Sequence, residues 1–162
     1  MAVENKWVDA NVAAGKKTAP SKVMPGMVFG FACTFEVAAA DDNDSVYKLA
    51  LIGGNMVPLT LSLNSDAIAG FTSMDLGFYT EAGVAVDQDI LVAQHDVNGG
   101  FARGSELNLL HDLPIDKIGK PVYEILGKTL TTKENAYVLA ITAVAAPSAA
   151  GTMSVYGTFL QG

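Results

Sequence analysis

Apolar residues recur at every second position in short segments, and this alternation limits the possible folds more than any other feature of the sequence. In VPLTLSL, residues 57–63, Val and Leu occupy the odd positions, with Pro, Thr and Ser between them. Neighbouring side chains of an extended chain point to opposite faces, so the pattern predicts a strand with one face towards a core. Strands are also predicted in five further segments, MVFGFACTFEVAA, SVYKLALIGG, TSMDLGFYT, NAYVLAITAVAA and TMSVYGTFLQ.

Turn-forming sequences separate these segments, and no helical pattern of about 10–15 residues lies between them. DDND at 41–44 and PSAAG at 147–151 are typical turns, and EAG at 81–83 has hairpin length. Roughly seven or eight strands at short spacing predict an all-β fold, an antiparallel β-sandwich of jelly-roll or similar Greek-key type.

Three short segments interrupt the strand pattern. IDKIGKPVYEILG predicts one short helix, opened by Pro121 and ended by Gly127. VDQDILVAQH predicts a helical turn with Asp87 as its N-cap, and ELNLLHDL is a candidate strand. The fold is therefore nearly all β, with one or two short helices.

The sequence divides into an extended N-terminal arm, residues 1–25, and a single β-sandwich domain, residues 26–162. The arm shows neither helical nor strand period and is rich in Ala, Asn, Gly, Lys and Pro. Its four lysines outnumber its two acids, whereas residues 36–112 carry twelve acids against two basic residues, a net charge of −10. A mildly basic arm beside an acidic body suits docking onto a neighbouring protein; charge alone fits an ordinary soluble tail equally well. The predicted partner contacts are Trp7, Lys16, Lys17 and Lys22.

Composition excludes several classes of partner. Only 17% of the residues are charged and half are apolar, which favours a surface partly covered by other protein. An acidic body repels phosphate, so nucleic acid is not an expected partner. No apolar run reaches the ~20 residues that span a bilayer, and the start lacks a signal-peptide pattern. Cys33, the single cysteine, fits a small buried apolar residue. These features predict a protein that is made and used in a cytoplasm-like compartment.

The polar residues of the sequence form no recognisable metal-binding or nucleophile motif. DDNDS at 41–45 lacks the Gly and Glu that a calcium-binding EF-hand loop needs at its sixth and twelfth positions. His95 and His111 are too far apart in sequence for a strand-spaced or helix-spaced ligand pair. Each precedes an Asp, which on extended chain would point to the opposite face. No serine-nucleophile elbow or phosphate loop is present.

Three nearby carboxylates, Asp75, Asp87 and Asp89, raise the question of an acid–base pair. Asp75 lies on the strand face opposite Met74 and Leu76, which predicts exposure to solvent. With Asp87 as a cap and Asp89 as a surface charge, the three acids have separate roles. We therefore predict no enzyme activity, no catalytic residue, no metal and no cofactor.

The segments MDLGFYTEAGVAVDQDIL (74–91) and IGKPVYEILGKTLTTKENAYVLAITAVAAPSAAGTMSVYG (118–157) together resemble structural proteins of tailed bacteriophages. The shared pattern is a D-x-G-x-Y strand, a Gly turn and V-x-D-x-D-x-L, then G-K-x-V-[WY]-E-x-L-G before two closing strands. The matching positions are Asp75, Gly77, Tyr79, Gly83, Val86, Asp87, Asp89, Leu91, Gly119, Lys120, Val122, Tyr123, Glu124, Leu126 and Gly127.

This resemblance implies a capsid decoration, or cement, protein that is assembled in the host cytoplasm and lies on the exterior of the virion. Its partners would be the major capsid protein and further copies of itself, as a homodimer or homotrimer. The alternative is a receptor-binding or carbohydrate-binding β-sandwich of a head fibre or tail. That function would need exposed aromatic residues or a calcium site, and the sequence is poor in both. A small β-sandwich hydrolase is a third hypothesis.

Overall fold

The computed structural model describes residues 5–7, by their backbone alone, 26–129 and 136–162. These residues form two β-sheets that enclose one core. A 3₁₀-helix spans Ile115–Lys117 and one α-helix, α1, spans Val122–Ile125. The nine strands are β1 (Asn5–Trp7), β2 (Val28–Val37), β3 (Val46–Gly53), β4 (Met56–Ser65), β5 (Met74–Thr80), β6 (Ala85–His95), β7 (Leu107–Asn108), β8 (Ala136–Ala143) and β9 (Gly151–Gln161).

The strand order confirms the predicted sandwich and defines it as a jelly roll. One sheet has the order β1-β3-β8-β5-β6 and the other has the order β2-β9-β4-β7. The antiparallel pairs are nested, with β5–β6 innermost, then β4–β7 and β3–β8, and β2–β9 outermost. This nesting is that of one long hairpin wound into two sheets, the double Greek key of a jelly roll.

Among the described strands, β1 and β3 form the one parallel pair. Residues Asn5, Lys6 and Trp7 of β1 lie beside the start of β3. This places one short piece of the predicted arm at the edge of the five-stranded sheet. The division into an arm, residues 1–25, and a domain, residues 26–162, stays a prediction because residues 8–25 lie outside the described part.

The alternating residues fill the space between the sheets. Along β9, every second side chain from Gly151 to Gln161 is buried. Phe159 of β9 is 1% exposed and Phe78 of β5 is 0% exposed; each such side chain contributes roughly 1.5–3 kcal/mol to folding by its burial. Phe29, Phe31 and Cys33, which share one face of β2, are half-buried against this core.

The two sheets differ in their outer faces. In β8, seven of eight residues are buried, so the middle of the five-stranded sheet is covered on both faces. A small second cluster lies on its outer side and contains Val46, Leu51, Tyr79, Val138 and Ala140. The four-stranded sheet instead has one buried and one accessible face, as the alternation in β9 shows.

The structure corrects three expectations about local elements. VDQDILVAQH is not a helical turn capped by Asp87; it belongs to β6, because the EAG turn returns the chain along β5 as a hairpin. The candidate strand ELNLLHDL shortens to the two residues of β7. The predicted single helix is split into two short ones around Gly119, whose φ is +75°. α1 itself lies between Pro121 and Gly127, the residues expected to bound it.

Candidate interaction surface

Along three of its strands, the outer face of the four-stranded sheet carries a single charged side chain, and Glu106 and Arg103 lie beside Tyr156 towards β7. Along these three strands it is formed by side chains that alternate with the core residues of β2, β9 and β4. Glu36, at one end, is the only carboxylate or ammonium group among them. These side chains are Val28, Gly30, Ala32, Thr34 and Glu36 of β2, Thr152, Ser154, Tyr156, Thr158 and Leu160 of β9, and Val57, Leu59, Thr60, Ser62 and Asn64 of β4.

Hydroxyl groups on this outer face pair with one another across the strands. Thr34 Oγ1 lies 2.7 Å from Ser154 Oγ, and Thr60 Oγ1 lies 2.8 Å from Thr158 Oγ1. A hydroxyl with a partner in the protein loses less when water is removed from it than an unpaired one does. The centre of the outer face is therefore suited to contact with another protein surface.

Large apolar side chains are exposed at the same face. Val28 is 56% exposed, Leu59 43% and Tyr156 37%. Val28, Leu160 and Val57 form one cross-strand row, because Leu160 pairs with both of the others. Low charge combined with exposed aliphatic and Tyr side chains is typical of the central part of protein–protein interfaces. A further exposed pair, Ile115 at 88% and Ile118 at 63%, lies at the two ends of the 3₁₀-helix that precedes α1.

The D-x-G-x-Y segment of the sequence forms a seat for β6. Leu76 of β5 pairs with Val92. Two residues further along β5, Phe78 pairs with Asp87, five residues away from Val92 on β6. The extra residues of β6 form a bulge over the outer side of β5. Gly77 lies beneath it, since a Cβ at this position would overlap the carbonyl oxygen of Asp87.

Asp75 is 5% exposed, which corrects the expectation that it faces solvent. The cause is the bulged β6, which covers the strand face that the alternation assigns to solvent. One carboxylate oxygen accepts a hydrogen bond from the backbone N–H of Gln94 at 2.7 Å, and the other lies 3.5 Å from the amide nitrogen of Gln88. Burial raises the pKa of Asp75, and these hydrogen bonds oppose the rise only in part.

Tyr79 completes the seat. Its hydroxyl shares a hydrogen bond with Thr142 Oγ1 of β8 and donates to the side-chain oxygen of Gln88 at 3.4 Å. Tyr79 is 4% exposed and Thr142 is 3% exposed, and burial raises the pKa of the Tyr79 hydroxyl. Asp75, Gly77 and Tyr79 therefore hold β6 against β5, which is a structural role.

The remaining motif residues lie at turns and on the bulged strand. Gly83 has a φ of +87° in the β5–β6 hairpin and Gly127 has a φ of +64° after α1, both in the left-handed region that favours glycine. Asp87 is half-buried and Asp89 is exposed. Burial, and then the neighbouring carboxyl of Asp89, raises the pKa of Asp87.

The two histidines are close in space, which their sequence separation did not indicate. The ring centroids of His95 and His111 lie 5.1 Å apart. Nδ1 of His111 lies 2.8 Å from a carboxylate oxygen of Asp112, although adjacent residues were expected to diverge. The chain turns here instead of extending, and Asp112 also accepts the backbone N–H of Ala93. Burial, and then His111, lowers the pKa of His95.

The described residues contain no group of three or more His, Cys, Asp or Glu side chains arranged to hold a metal ion. None of the helices described is long and apolar enough to cross a membrane. Of the predicted contact residues, Trp7 lies in β1 beside Lys48. Lys16, Lys17 and Lys22 lie outside the described residues, so the contact role of the arm stays a prediction.

Sequence reasoning missed the outer face and the seat for different reasons. The outer face was already implied by the residues between the apolar positions of β2 and β9, which include almost no charged side chain. The sequence contains no such signal for the seat, because the hydrogen bond from the Gln94 N–H to Asp75 depends on where β6 bulges. The approach of His95 to His111 likewise depends on the loop between β6 and β7.

No protein-family model matches the chain, and no curated protein sequence matches it. Two solved structures share its fold. A chain of the structure titled "Capsid of Ralstonia phage GP4" aligns with a TM-score of 0.62 and 18% identity, covering 97% of this chain and 99% of that one. A chain of "Cyanophage Pam1 capsid asymmetric unit" aligns with a TM-score of 0.55 and 16% identity, covering 90% and 93%.

Proposed function

We propose that the chain is a structural virion protein that binds the outside of an icosahedral phage capsid and stabilises the contacts between major capsid subunits. The observation that carries this proposal is the alignment with the GP4 capsid chain, which covers 97% of this chain and 99% of that one. This alignment therefore covers the whole fold and not one shared motif. The second alignment, to a chain of the Pam1 capsid, supports the same role.

The surface chemistry supports a binding role. A cement protein must form its contacts with subunits that are already assembled, so it needs a rigid surface that loses little on desolvation. The outer face of the four-stranded sheet offers paired hydroxyls, small residues and the exposed side chains of Val28, Leu59 and Tyr156. The polar residues of the D-x-G-x-Y segment, in contrast, are used within the fold.

Stabilisation of the capsid would follow from mass action. A protein that binds only the assembled shell lowers the free energy of that state and leaves the free energy of the dissociated subunits unchanged. At a free concentration 100 times the dissociation constant, each occupied site adds about 2.7 kcal/mol. Many sites on one shell make the total large, even where each contact is modest.

The proposed partners are the major capsid protein and further copies of this chain, as a homodimer or homotrimer on the exterior of the virion. The arm, residues 1–25, would add contact through Trp7, Lys16, Lys17 and Lys22. The body has a strong negative charge between residues 36 and 112, so a basic arm would reach acidic surfaces of the shell that the body itself repels.

Heads that lack the chain provide the direct test. Purified protein is mixed with these expanded heads, bound protein is measured by co-sedimentation, and its position is determined by electron-microscopic reconstruction. DNA release on heating is followed with a fluorescent dye, with and without added protein. We expect saturable binding outside the shell and a higher release temperature. Heads that bind no protein and release DNA at an unchanged temperature would refute the proposal.

The arm has its own matched test. Lys16→Gln with Lys17→Gln removes two positive charges from the arm. Lys120→Gln with Lys128→Gln removes two from exposed positions of the body. We expect the arm variant alone to weaken head binding several-fold, more so at low salt because screening is weaker there. Equal affinity of the two variants would remove the arm lysines from the proposed interface.

A further inference from the structure

Three of the four sheet edges carry features that block pairing with another chain. The five-stranded sheet ends in β1, which is only three residues long, and in β6, which has three register shifts and carries Asp87 and Asp89. The four-stranded sheet ends on one side in β7, which has two residues. Short strands, bulges and charges are the usual protection of edges against unwanted strand addition.

The fourth edge, β2, has none of these features. It has ten residues, and its ladder with β9 runs from Val28–Leu160 to Val37–Gly151 without a register shift. It contains no Pro and no Lys, and its one charge, Glu36, is next to its end. Among the described residues, β9 is the only strand that pairs with β2. A long edge with no register shift and with its one charge next to its end is a template for another strand.

The backbone groups of β2 that do not pair with β9, its one strand neighbour among the described residues, belong to the residues of the outer face. The carbonyl of Met27 accepts a hydrogen bond from the N–H of Gln161 of β9, so it points towards β9. Backbone groups along a strand alternate in direction, and those of Val28, Gly30, Ala32, Thr34 and Glu36 therefore point to the open side.

We infer that β2 pairs in antiparallel fashion with β2 of a second copy, which joins two four-stranded sheets into one continuous sheet. This inference rests on the proposed function, because it gives the homo-oligomer of that function a defined interface. The five residues of each copy whose backbone groups point outward would supply about ten hydrogen bonds in all, as many as a typical interface has. The outer face would double in width.

The position of the one charge on β2 favours antiparallel over parallel pairing with a second copy. Parallel pairing would put Glu36 beside Glu36 of the other copy, whereas antiparallel pairing puts it near the uncharged Val28 end. The chain has a net charge of −7, so two copies repel each other over most approaches. The stretch from Val28 to Phe35 carries no charge and lets them meet without opposing carboxylates.

The test is the mass of the full-length protein in solution by light scattering, over a range of concentrations. We expect twice the 16.9 kDa of one chain. Ala32→Pro removes an outward N–H without removing a bond to β9, and proline is tolerated at edges for this reason. We expect this variant to stay folded, by its denaturant unfolding curve, and to have the mass of one chain.

A second pair of variants keeps the test decisive if proline impairs folding. Ala32→Lys introduces an edge charge, and Ala82→Lys introduces the same charge at the exposed β5–β6 turn. We expect the first to raise the dimer dissociation constant at least tenfold and the second to change it less than twofold. Equal effects of the two variants, or a folded Ala32→Pro variant that keeps the doubled mass, would overturn the inference.

Two further results would also overturn it. A mass of three chains contradicts the inference, because an antiparallel edge pair closes on two copies. A single-chain mass with slow hydrogen exchange at Gly30, Ala32 and Thr34 would mean that the chain covers its own edge. If the wild-type protein is a monomer yet decorates heads, the inference fails and the proposed function stands. If it is a β2-paired dimer that does not bind heads, the proposed function fails and the dimer stands.

Discussion

Gly77→Ala tests whether the D-x-G-x-Y segment is needed to seat the bulge of β6. A Cβ at position 77 would lie 2.5 Å from the carbonyl carbon of Gln88 and 2.7 Å from its oxygen. Both atoms belong to the backbone, so no flexible side chain can move aside. The methyl group must push the bulge of β6 away from β5, or β5 must shift within the sheet.

The expected cost has two parts. Overpacking of a well-packed site usually costs about 1–3 kcal/mol. If the bulge moves, the hydrogen bond from the Gln94 N–H to the buried Asp75 carboxylate is also lengthened. A bond to a charged group is worth about 1.5–3 kcal/mol. Moving the bulge relieves the steric overlap but lengthens this hydrogen bond, so we expect the free energy of unfolding to fall by about 3 kcal/mol. That corresponds to a fall in Tm of about 6–12 °C for a chain of this size.

Urea unfolding at fixed protein concentration measures this loss, and Gly99→Ala is the matched control. A Cβ at Gly99 would meet nothing within 4 Å, and Gly99 is absent from the glycines with positive φ. The control should lie within about 0.5 kcal/mol of the wild-type protein, as surface substitutions usually do. If Gly77→Ala also lies within that range, the bulge does not rest on Gly77 and our account of the seat is wrong.

Three further predictions concern the buried polar groups. Tyr79→Phe should lower the free energy of unfolding by about 1–3 kcal/mol, because it leaves the hydroxyl of Thr142 without its buried partner; urea unfolding measures it. Burial raises the pKa of Asp75 above its ordinary 3.8, so the folded state binds this proton more tightly than the unfolded state. Wild-type stability should therefore fall as pH rises from about 3.8 through the raised pKa, and Asp75→Asn should remove that part of the fall; identical pH profiles would contradict this. The pKa of His95 is lowered from 6.5 by burial and by His111, so stability should decline as pH falls below 6.5 towards the lowered pKa. NMR titration of the His95 ring should give a midpoint below 6.5, and His95→Gln should flatten the decline.

The period of apolar residues was sufficient to predict the sandwich. In β4, for example, Leu61 and Leu63 are 1% and 0% exposed, as their alternation with Ser62 requires. β8 shows where period alone is less informative, because seven of its eight residues are buried and both of its faces are covered. The residue types also predicted the turns, since Gly83 and Gly127 take the positive φ that glycine tolerates best.

What could not be predicted depends on long-range register. Asp75 was placed on a solvent face because a regular partner strand would leave it there. Three register shifts between β5 and β6 fold the backbone over it, and no sequence rule fixes where such shifts occur. His95 and His111 are near neighbours in the same indirect way, through a loop that returns to the end of β6. Burial of polar groups is therefore the least predictable part of this fold.

The nested strand order has a consequence for how the chain is made. Of the described strands, only β5 and β6 form a hairpin across a tight turn, and each later pair of the nest joins strands that are farther apart in sequence. β9 lies between β2 and β4 and is the last of the strands to leave the ribosome. Until then, β2 and β4 lack their shared neighbour, and the ten residues of β2 lack the strand that pairs with them in the described part of the chain. Long-range pairing of this kind is slow and exposed to aggregation, so the yield of folded protein depends on how soon β9 inserts.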